Sequence, residues 1–410
     1  MNREKNEGMR CAAFRRKMRP DAGKLDRAVR TALLKIDGLL EKFLHKFPGS
    51  NTRNNIYEYR KPGVNENPTK DPVEEGGNFD WTTGFWTGMI WLAYELTGNE
   101  KYRAAAEIHV DSFRDRIVRK IDCDTHDLGF LYTLSCVAAA KLTGSRKAEQ
   151  TALMAADHLM TRYHPKAGII QAHGDLSDPR LRGRMIIDGM MNLPLLYWAS
   201  EVTGNPVYRA IAESHARQTM RYIVREDAST WHTYYFDVDT GEPRHGDTLQ
   251  GYADDSCWSR GQAWGIYGFT LSYVHTGERQ FLETAMKLAH YFLNRLPDDL
   301  VVYWDLIFTD DHGEEKDSSA SAIVVCGLLE MARRLPEGAE RDYFFNAAQA
   351  ILGSLIDGYA TNVSEKSNAL LLHSVNFKKA GRGVDEACLW GDYFYLEALV
   401  RMKRDWKMYW

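Results

Sequence analysis

Cysteine pairs, long apolar runs and an excess of either charge are all missing from this chain of 410 residues. The six cysteines are scattered and form no CxxC pair, so no zinc knuckle or disulfide framework is indicated. No apolar run approaches the roughly 18 to 20 residues that span a bilayer. The net charge is −4 with the signs interspersed, so no field would draw nucleic acid or an anionic membrane. We expect a soluble protein with neither as a partner.

The first twenty residues are rich in Arg and Lys and hold only a short apolar patch at residues 11–14. They lack the continuous apolar segment and small-residue cleavage site of a secretory signal. We therefore expect a cytoplasmic protein in which residues 1–22 form a disordered basic tail and residues 23–410 form one folded domain.

One turn is written four times along the chain, as Thr-Gly followed by a polar residue. Its glycine stands at position 98, 144, 204 or 277, each time between two helical patterns. Glycine supplies the left-handed backbone that ends one helix, and the polar residue can start the next, as at Asn205-Pro206. A fifth copy, Leu335-Pro336-Glu337-Gly338, is degenerate but in register. The repeat predicts a series of helical hairpins.

Two kinds of helix alternate around these turns. Helices that are apolar nearly all round and rich in small residues are predicted at residues 84–95, 128–141, 192–201, 261–273, 320–333 and 391–403. Helices with one apolar face are predicted at residues 26–45, 100–117, 146–163, 207–224, 279–296 and 340–356, the fifth of them ended by Pro297. The first kind is typical of buried helices and the second of helices that cover them.

Six inner and six outer helices predict an all-α, single-domain (α/α)6 toroid with little strand. An open solenoid of helix pairs fits the same alternation. Closure is favoured by the small residues of the inner helices, which a crowded ring would need, and by the long segments before them.

Most of the chemically versatile side chains lie in the segments that lead into the inner helices. In a closed toroid these helices are parallel, so the segments meet at one mouth and line one cavity. Aromatic faces beside carboxylates and amides suit a sugar ring, and Arg260 at a helix N-terminus indicates a sugar that carries a carboxylate. The candidate ligand contacts are Trp81, His126, Asn192, His232, Gln250, Trp258, Arg260, Gln262, Trp264, Ser318 and Trp390.

Asp127 and Asp188 are the candidate acid pair. Either one can instead be a helix-start residue that accepts backbone N–H groups. Asp188 lies between the apolar residues 185–187 and 189–191, where a carboxylate is costly unless it is paired or protonated. The two candidate histidines can be ordinary buried side chains, and no HxxxH motif indicates a metal.

Five strings of sequence occur in a fixed order along the chain. They are His126-Asp127-Leu128-Gly129-Phe130, Asp188-Gly189-Met190-Met191-Asn192-Leu193-Pro194, residues 254–264, Asp317-Ser318-Ser319-Ala320 and Trp390-Gly391-Asp392-Tyr393. In these strings the chain resembles the unsaturated glucuronyl hydrolases, glycoside hydrolase family 88, and the resemblance runs from about residue 26 to the C-terminus. The more distant unsaturated rhamnogalacturonyl hydrolases of family 105 share the toroid and the paired aspartates.

The resemblance implies a cytoplasmic glycosidase that removes the non-reducing-end Δ4,5-unsaturated uronic acid from lyase-generated oligosaccharides, of glycosaminoglycan type. It implies Asp188 as the acid/base, Asp127 as its partner, and no metal or organic cofactor. Such a substrate is an enol ether, so the reaction is hydration of a double bond rather than displacement at the anomeric carbon. We hypothesise that Asp188, protonated at rest, donates to C4 and then accepts a proton from the water that attacks C5.

Other functions remain open at this point. A rhamnogalacturonyl hydrolase acting on pectin fragments fits the same residues, and a non-catalytic carbohydrate-binding toroid is a more remote alternative. Lys378, Lys379 and Arg382 precede the sixth inner helix. They fit a sulfate on the leaving sugar and a solvated basic loop equally well.

Overall fold

The computed structural model describes residue 14, residues 19–63 and residues 73–410. Among these residues, no helix combines the length and apolarity that crossing a bilayer would require. The basic tail expected at residues 1–22 lies mostly outside the described residues, and the domain boundaries stay a prediction. Phe14, which is described, packs edge-on against Tyr343 with ring centroids 5.8 Å apart.

Inner and outer helical elements alternate through the described chain, as predicted. In chain order the helices are α1 (Ala22–Phe43), α2 (Thr83–Thr97), α3 (Glu100–Arg119), α4 (Leu128–Tyr132), α5 (Ala138–Thr143), α6 (Arg146–Met160), α7 (Pro194–Thr203), α8 (Pro206–Gln218), α9 (Ser259–Thr276), α10 (Arg279–Leu293), α11 (Ser318–Arg334), α12 (Ala339–Gly358) and α13 (Leu389–Lys403). The outer ones are α1, α3, α6, α8, α10 and α12. A π turn (Thr133–Val137) joins α4 to α5 within one inner element.

The inner helices form a closed ring, because α13 packs against α2. Small residues make the ring tight. A Cβ on Gly84 would lie 2.5 Å from the Phe130 carbonyl oxygen, and one on Gly268 would lie 2.4 Å from the Cβ of Met190. Such contacts leave no room for a larger side chain. The toroid is therefore closed, and the open solenoid is excluded.

The four Thr-Gly turns end the first four inner helices. Their glycines have φ between 65° and 73°, the left-handed region that glycine enters at little cost. Each threonine hydroxyl donates to the carbonyl oxygen four residues earlier, as Thr97 does to Ala93 at 2.7 Å. The Asn99 side chain then accepts from the Lys101 N–H and caps the next helix.

Several helix ends differ from those predicted. The fifth turn has no glycine cap, since α11 ends with Leu335 in an extended conformation, which the following proline favours. Helix α10 ends at Leu293, with Asn294 as its cap, so Pro297 does not set its end. Helix α6 ends at Met160, because the chain enters a strand at Tyr163.

Seven short strands form three antiparallel sheets within the described residues, all in segments that lead into inner helices. The strands are β1 (Tyr163–His164), β2 (Ile169–Ile170), β3 (Arg184–Ile186), β4 (Thr233–Phe236), β5 (Pro243–Asp247), β6 (Ser374–Phe377) and β7 (Arg382–Glu386). The low strand content matches the prediction. The 3₁₀ turn Ile187–Met191 directly follows β3, whose Ile186 pairs with Thr233 of β4.

Residues 404–410 close the other end of the ring. Trp406 Nε1 and the Tyr409 hydroxyl both donate to Glu95 Oε2, at the end of α2. Trp410 is 1% exposed, donates from Nε1 to Glu397 Oε2 at 2.8 Å, and stacks on Phe394 with the ring planes 6° apart. The ring therefore opens only at the end where the inner helices begin, as far as the described residues show.

Candidate active site

A cavity of about 460 Å³ opens where the inner helices begin. It is lined by residues that precede five of the six inner helices. The segment before α11 does not reach the cavity wall and acts through Asp317, which pairs with Arg260. The predicted site residues that line the cavity are Trp81, His126, Asp127, Asp188, His232, Gln250, Trp258, Arg260 and Trp264.

Asp127 and Asp188 lie together in this cavity, joined by His126. The His126 Nε2 is 3.3 Å from Asp188 Oδ1 and 3.5 Å from Asp127 Oδ1. Pairing of β3 with β4 fixes the Asp188 side of the site, because the Ile187 N–H donates to the His232 carbonyl oxygen at 3.1 Å. The sequence-distant acids thus share one polar floor.

Asp127 stands before α4 without capping it, since its side chain makes no hydrogen bond to that helix's backbone N–H groups. It instead accepts from the Thr125 hydroxyl at 2.7 Å. Burial and the nearby charge of Asp188 raise its pKa well above the usual aspartate range. The interpretation of Asp127 as a mere helix-start residue is therefore wrong, and its carboxyl group belongs to an acid pair.

Three histidines line the cavity as neutral rings: His126 and His232 are buried, and His173 is half-buried. Burial lowers the pKa of His126 and of His173 well below the usual histidine value, and it lowers that of His232 to about 3. A neutral imidazole offers one N–H donor and one acceptor nitrogen. These side chains therefore bring directed hydrogen bonds to the site without positive charge.

Aromatic rings form the apolar wall. Trp81, Trp258 and Trp264 line the cavity. The ring of Trp81 lies 4.9 Å from that of Trp390 behind it and 5.8 Å from that of Phe130. These contacts hold the Trp81 indole in place, and such a held aromatic surface is suited to the C–H face of a sugar.

Arg260 lies between two indoles and is only 1% exposed. Its guanidinium carbon is 4.5 Å from the Trp258 ring centroid and 5.0 Å from that of Trp390. Its terminal nitrogens donate to Asp317 Oδ2 at 3.1 Å, to Gln250 Oε1 at 2.9 Å and to backbone carbonyls of β6. The arginine is therefore rigid, and Asp317 balances much of its charge.

Four predicted contacts are not among the residues that line the cavity. The Asn192 amide donates to the Asp188 carbonyl oxygen at 3.3 Å and approaches Asp127 Oδ1 at 3.5 Å. It therefore helps to hold both acids in position. Gln262 is fully buried and donates to two backbone carbonyls. Ser318 donates to a backbone carbonyl at 2.6 Å, and Trp390 donates to a serine hydroxyl at 2.9 Å. Each of these polar groups is satisfied by protein.

The sequence prediction missed much of the outer wall. Residues 49–53 and 58–61 line the cavity although they lie far ahead of α2, and His173 lines it as well. The long connection between α1 and α2 was the one available signal for the first group, because long connections are usually functional. Of the three cations considered for sulfate binding, Lys378 pairs with Glu315, whereas Arg382 lines the cavity.

The acid pair and its histidine also have the composition of a metal site. One atom from each of His126, Asp127 and Asp188 falls within 4.8 Å of the others. A nitrogen and two carboxylate oxygens are ligands that several divalent ions accept. The same arrangement serves proton transfer, which needs an acid, a nearby partner charge and a hydrogen-bond donor.

The chain matches known proteins over nearly its whole length. Residues 55–398 match Glycosyl Hydrolase Family 88. The unsaturated chondroitin disaccharide hydrolase of Streptococcus pneumoniae is 44% identical over 387 residues, which cover 94% of this chain and 92% of that protein. The unsaturated glucuronyl hydrolase of Bacillus sp. is 46% identical over 352 residues, which cover 86% and 93%.

A solved structure shares the fold. The crystal structure of unsaturated glucuronyl hydrolase from Streptococcus agalactiae superposes with a TM-score of 0.91 at 43% identity, covering 98% of this chain and 97% of that one. A mutant of that enzyme has been solved in complex with dGlcA-GalNAc6S.

Proposed function

The chain belongs to glycoside hydrolase family 88, and we propose that it removes the non-reducing-end Δ4,5-unsaturated uronic acid from glycosaminoglycan-type oligosaccharides produced by polysaccharide lyases. The observation that carries the proposal is the half-buried pair Asp127 and Asp188 at the base of a cavity walled by indole rings, with His126 between them. The glycosaminoglycan class is supported by the S. pneumoniae relative, an unsaturated chondroitin disaccharide hydrolase.

The acid pair supplies the proton chemistry. Two adjacent, largely enclosed carboxyl groups do not both ionise readily, and we infer that the pair shares one proton. Burial and the nearby charge of Asp188 raise the pKa of Asp127, in keeping with this inference. Asp188 transfers this proton to C4 of the enol ether, and its carboxylate then takes a proton from the water that adds to C5. The resulting hemiketal opens, expels the rest of the oligosaccharide and leaves an open-ring keto sugar acid.

The cavity orients the uronic acid for this step. Trp81 stacks against the sugar, and the uronate carboxylate lies on the side of Arg260, Gln250 and His232. Gln250 accepts from Arg260 through Oε1, which leaves its amide N–H groups for the substrate. Asp317 and the β6 carbonyls already accept from the terminal nitrogens of Arg260. Arg260 therefore attracts the uronate through its positive charge rather than through a direct hydrogen bond.

A panel of lyase products tests the proposal. Unsaturated disaccharides from chondroitin, hyaluronan and heparin and an unsaturated galacturonyl-rhamnose from pectin are supplied separately, and loss of the conjugated ultraviolet absorbance is followed. We expect turnover of glycosaminoglycan products. Turnover of the pectin product alone would move the enzyme to the rhamnogalacturonyl class, and binding without turnover would make the protein a sugar-binding toroid.

Chelation separates proton transfer from metal chemistry in the same assay. The mechanism above uses no cation, so dialysis against EDTA should leave kcat unchanged. Loss of activity that a divalent cation restores would show that His126, Asp127 and Asp188 hold a metal ion.

We also propose that the enzyme works in the cytoplasm. The five cysteines of the described residues are buried as free thiols, as a reducing compartment would keep them. Fractionation of the native host and detection of the chain in the cytoplasmic fraction would test this location.

A further inference from the structure

Two buried histidine nitrogens point at the same place behind the acid pair. Within the described part of the chain, neither Nδ1 of His126 nor Nε2 of His215 has a hydrogen-bond partner. His126 is 2% exposed and His215 is fully buried. Buried polar atoms are rarely left unsatisfied, so these two call for an explanation.

Both nitrogens lie close to Gly189. A Cβ on this residue would lie 2.8 Å from His215 Nε2 and 3.3 Å from His126 Nδ1. The φ of Gly189 is not in the region that other residues avoid, so backbone conformation does not require glycine here. Glycine is needed instead because both ring nitrogens approach it too closely for a side chain. A water molecule that bridged the two nitrogens beside Gly189 would have two polar partners, as buried waters need.

A backbone hydrogen bond to Nδ1 sets the tautomer of His215. Its Nδ1 accepts the backbone N–H of Ile170 at 2.9 Å. Burial lowers the pKa of His215 to about 3, so the ring is neutral. The single ring proton must then sit on Nε2, the atom that faces Gly189.

We propose that His215 is a positioning residue that sets the tautomer of His126 through one buried water beside Gly189. The Nε2–H of His215 donates to this water, which donates to Nδ1 of His126. The His126 proton is thereby kept on Nε2, which faces Asp188 and Asp127. The proposal rests on the proposed function, since it assigns the donor for that reaction's acid pair.

The tautomer affects the chemical step. When Asp188 gives its proton to C4, negative charge develops on its carboxylate. An Nε2–H of His126, 3.3 Å from Asp188 Oδ1, stabilises this charge. The opposite tautomer would turn a lone pair toward the carboxylate and oppose its formation. Substrate binding at the indole wall would hardly change, so the effect belongs to kcat.

Two substitutions of His215 separate positioning from packing. In His215→Asn the side-chain oxygen can still accept the Ile170 N–H, but the donor toward Gly189 is lost. In His215→Gln the amide nitrogen replaces Nε2, while the acceptor for Ile170 is lost. We expect His215→Asn to lower kcat roughly 10- to 100-fold, as the loss of a hydrogen bond to a charged group does, with little change in KM. His215→Gln should keep most of kcat and lose thermal stability.

A purely structural His215 predicts the reverse. His215→Asn with a wild-type kcat would overturn the proposal, as would a His215→Gln variant that folds and is less active than His215→Asn. Both variants are assayed on the disaccharide that the wild-type enzyme turns over best. Inactivity of the wild-type enzyme on every substrate would refute the proposed function, so the two failures are distinct.

Gly189→Ala provides a second variant, independent of the His215 side chain. Its methyl group would lie 2.8 Å from His215 Nε2, so the ring must shift and the bridge to His126 is broken. We expect kcat to fall with KM retained. An unchanged kcat would overturn the proposal. His109→Asn is the matched control, since His109 is a buried neutral histidine that bonds to Thr87 and to a backbone carbonyl away from the cavity. It should lower thermal stability and leave kcat unchanged.

Discussion

At the residue scale, Asp127 and Asp188 illustrate how neighbours give one side-chain type different tasks. Asp127 is held by the Thr125 hydroxyl and faces the Asn192 amide. The Asp188 side chain retains 20% of its exposure, against 13% for Asp127. The more open Asp188 can meet the double bond and deliver the proton, while the more enclosed Asp127 disfavours ionisation of its neighbour through like-charge repulsion. This division matches the roles proposed for them.

Asp188→Asn should abolish turnover. An amide neither donates an acidic proton to C4 nor accepts one from water, so kcat should fall more than 100-fold, since general acid/base assistance is typically about 10²- to 10⁴-fold. Loss of ultraviolet absorbance measures kcat, and circular dichroism checks the fold. Asp124→Asn is the matched control, because Asp124 also borders the cavity but its side chain is 78% exposed. A variant of Asp188 with a tenth of normal activity would contradict the role.

Asp392 makes stability depend on pH. Its buried carboxyl group accepts from the Leu371 N–H at 2.8 Å and from the Tyr57 hydroxyl at 3.1 Å, and burial raises its pKa to about 7. The folded state therefore binds a proton that the unfolded state releases near pH 4. The free energy of unfolding should fall as the pH rises from about 4 to about 7, and this part of the loss should disappear in Asp392→Asn.

Urea unfolding of both proteins at pH 5 and pH 8 measures this contribution. We expect the difference between the urea midpoints at pH 5 and pH 8 to be smaller in Asp392→Asn than in the wild-type protein. Equal gaps in the two proteins would show that the carboxyl group of Asp392 is ionised throughout.

At the element scale, the helical hairpins could be predicted because their signals are local. A Thr-Gly turn carries its own cap, and the inner helices are apolar on every side, so no distant contact is needed to recognise either. The strands have two to five residues each and depend on partners elsewhere in the chain. For this reason the β3–β4 pairing that fixes Asp188 was not predicted.

Two glycine substitutions should have opposite signs. Gly277 has φ of 73° and open space around its Cβ position, so Gly277→Ala introduces backbone strain alone and should cost about 1 kcal/mol of unfolding free energy. Gly38 lies within α1, also with open space, and Gly38→Ala should add about 0.5 to 1 kcal/mol. Denaturant titrations measure both, and changes of the same sign would contradict the assigned backbone roles.

Three predicted contacts show the limit of placing residues by segment. Gln262, Ser318 and Trp390 lie in or beside the first turns of inner helices, as predicted, yet their polar groups bond to neighbouring protein atoms. Which side of a helix start faces the cavity depends on the rotation of the helix within the ring. Sequence indicates the end of the helix but not this rotation.

At the scale of the whole molecule, the ring is held at its centre by aromatic packing. Trp410 stacks on Phe394 and contacts Phe130, whose ring lies 5.8 Å from that of Trp81 in the cavity wall. Aromatic contacts therefore continue from the closed end of the toroid to the substrate side. This continuity was not predicted, because the last residues carry no motif.

Trp410→Ala should lower the free energy of unfolding by about 3 to 5 kcal/mol, since it leaves a large cavity and removes a hydrogen bond to Glu397. Chemical denaturation measures the change. Tyr252→Ala is the matched control, because Tyr252 is 53% exposed and its loss should change stability by less than about 1 kcal/mol. A Trp410 variant as stable as this control would show that other contacts stabilise the centre of the ring.

The Thr-Gly turns all lie at the end of the ring opposite the cavity, and their glycines are exposed. Protein engineering can use this separation. A reporter domain or an affinity tag spliced into one of these turns would sit about a full inner helix away from the acids, and new chain termini could be opened there. The segments that line the cavity could be exchanged for those of relatives with other substrate preferences, while the helical hairpins are kept.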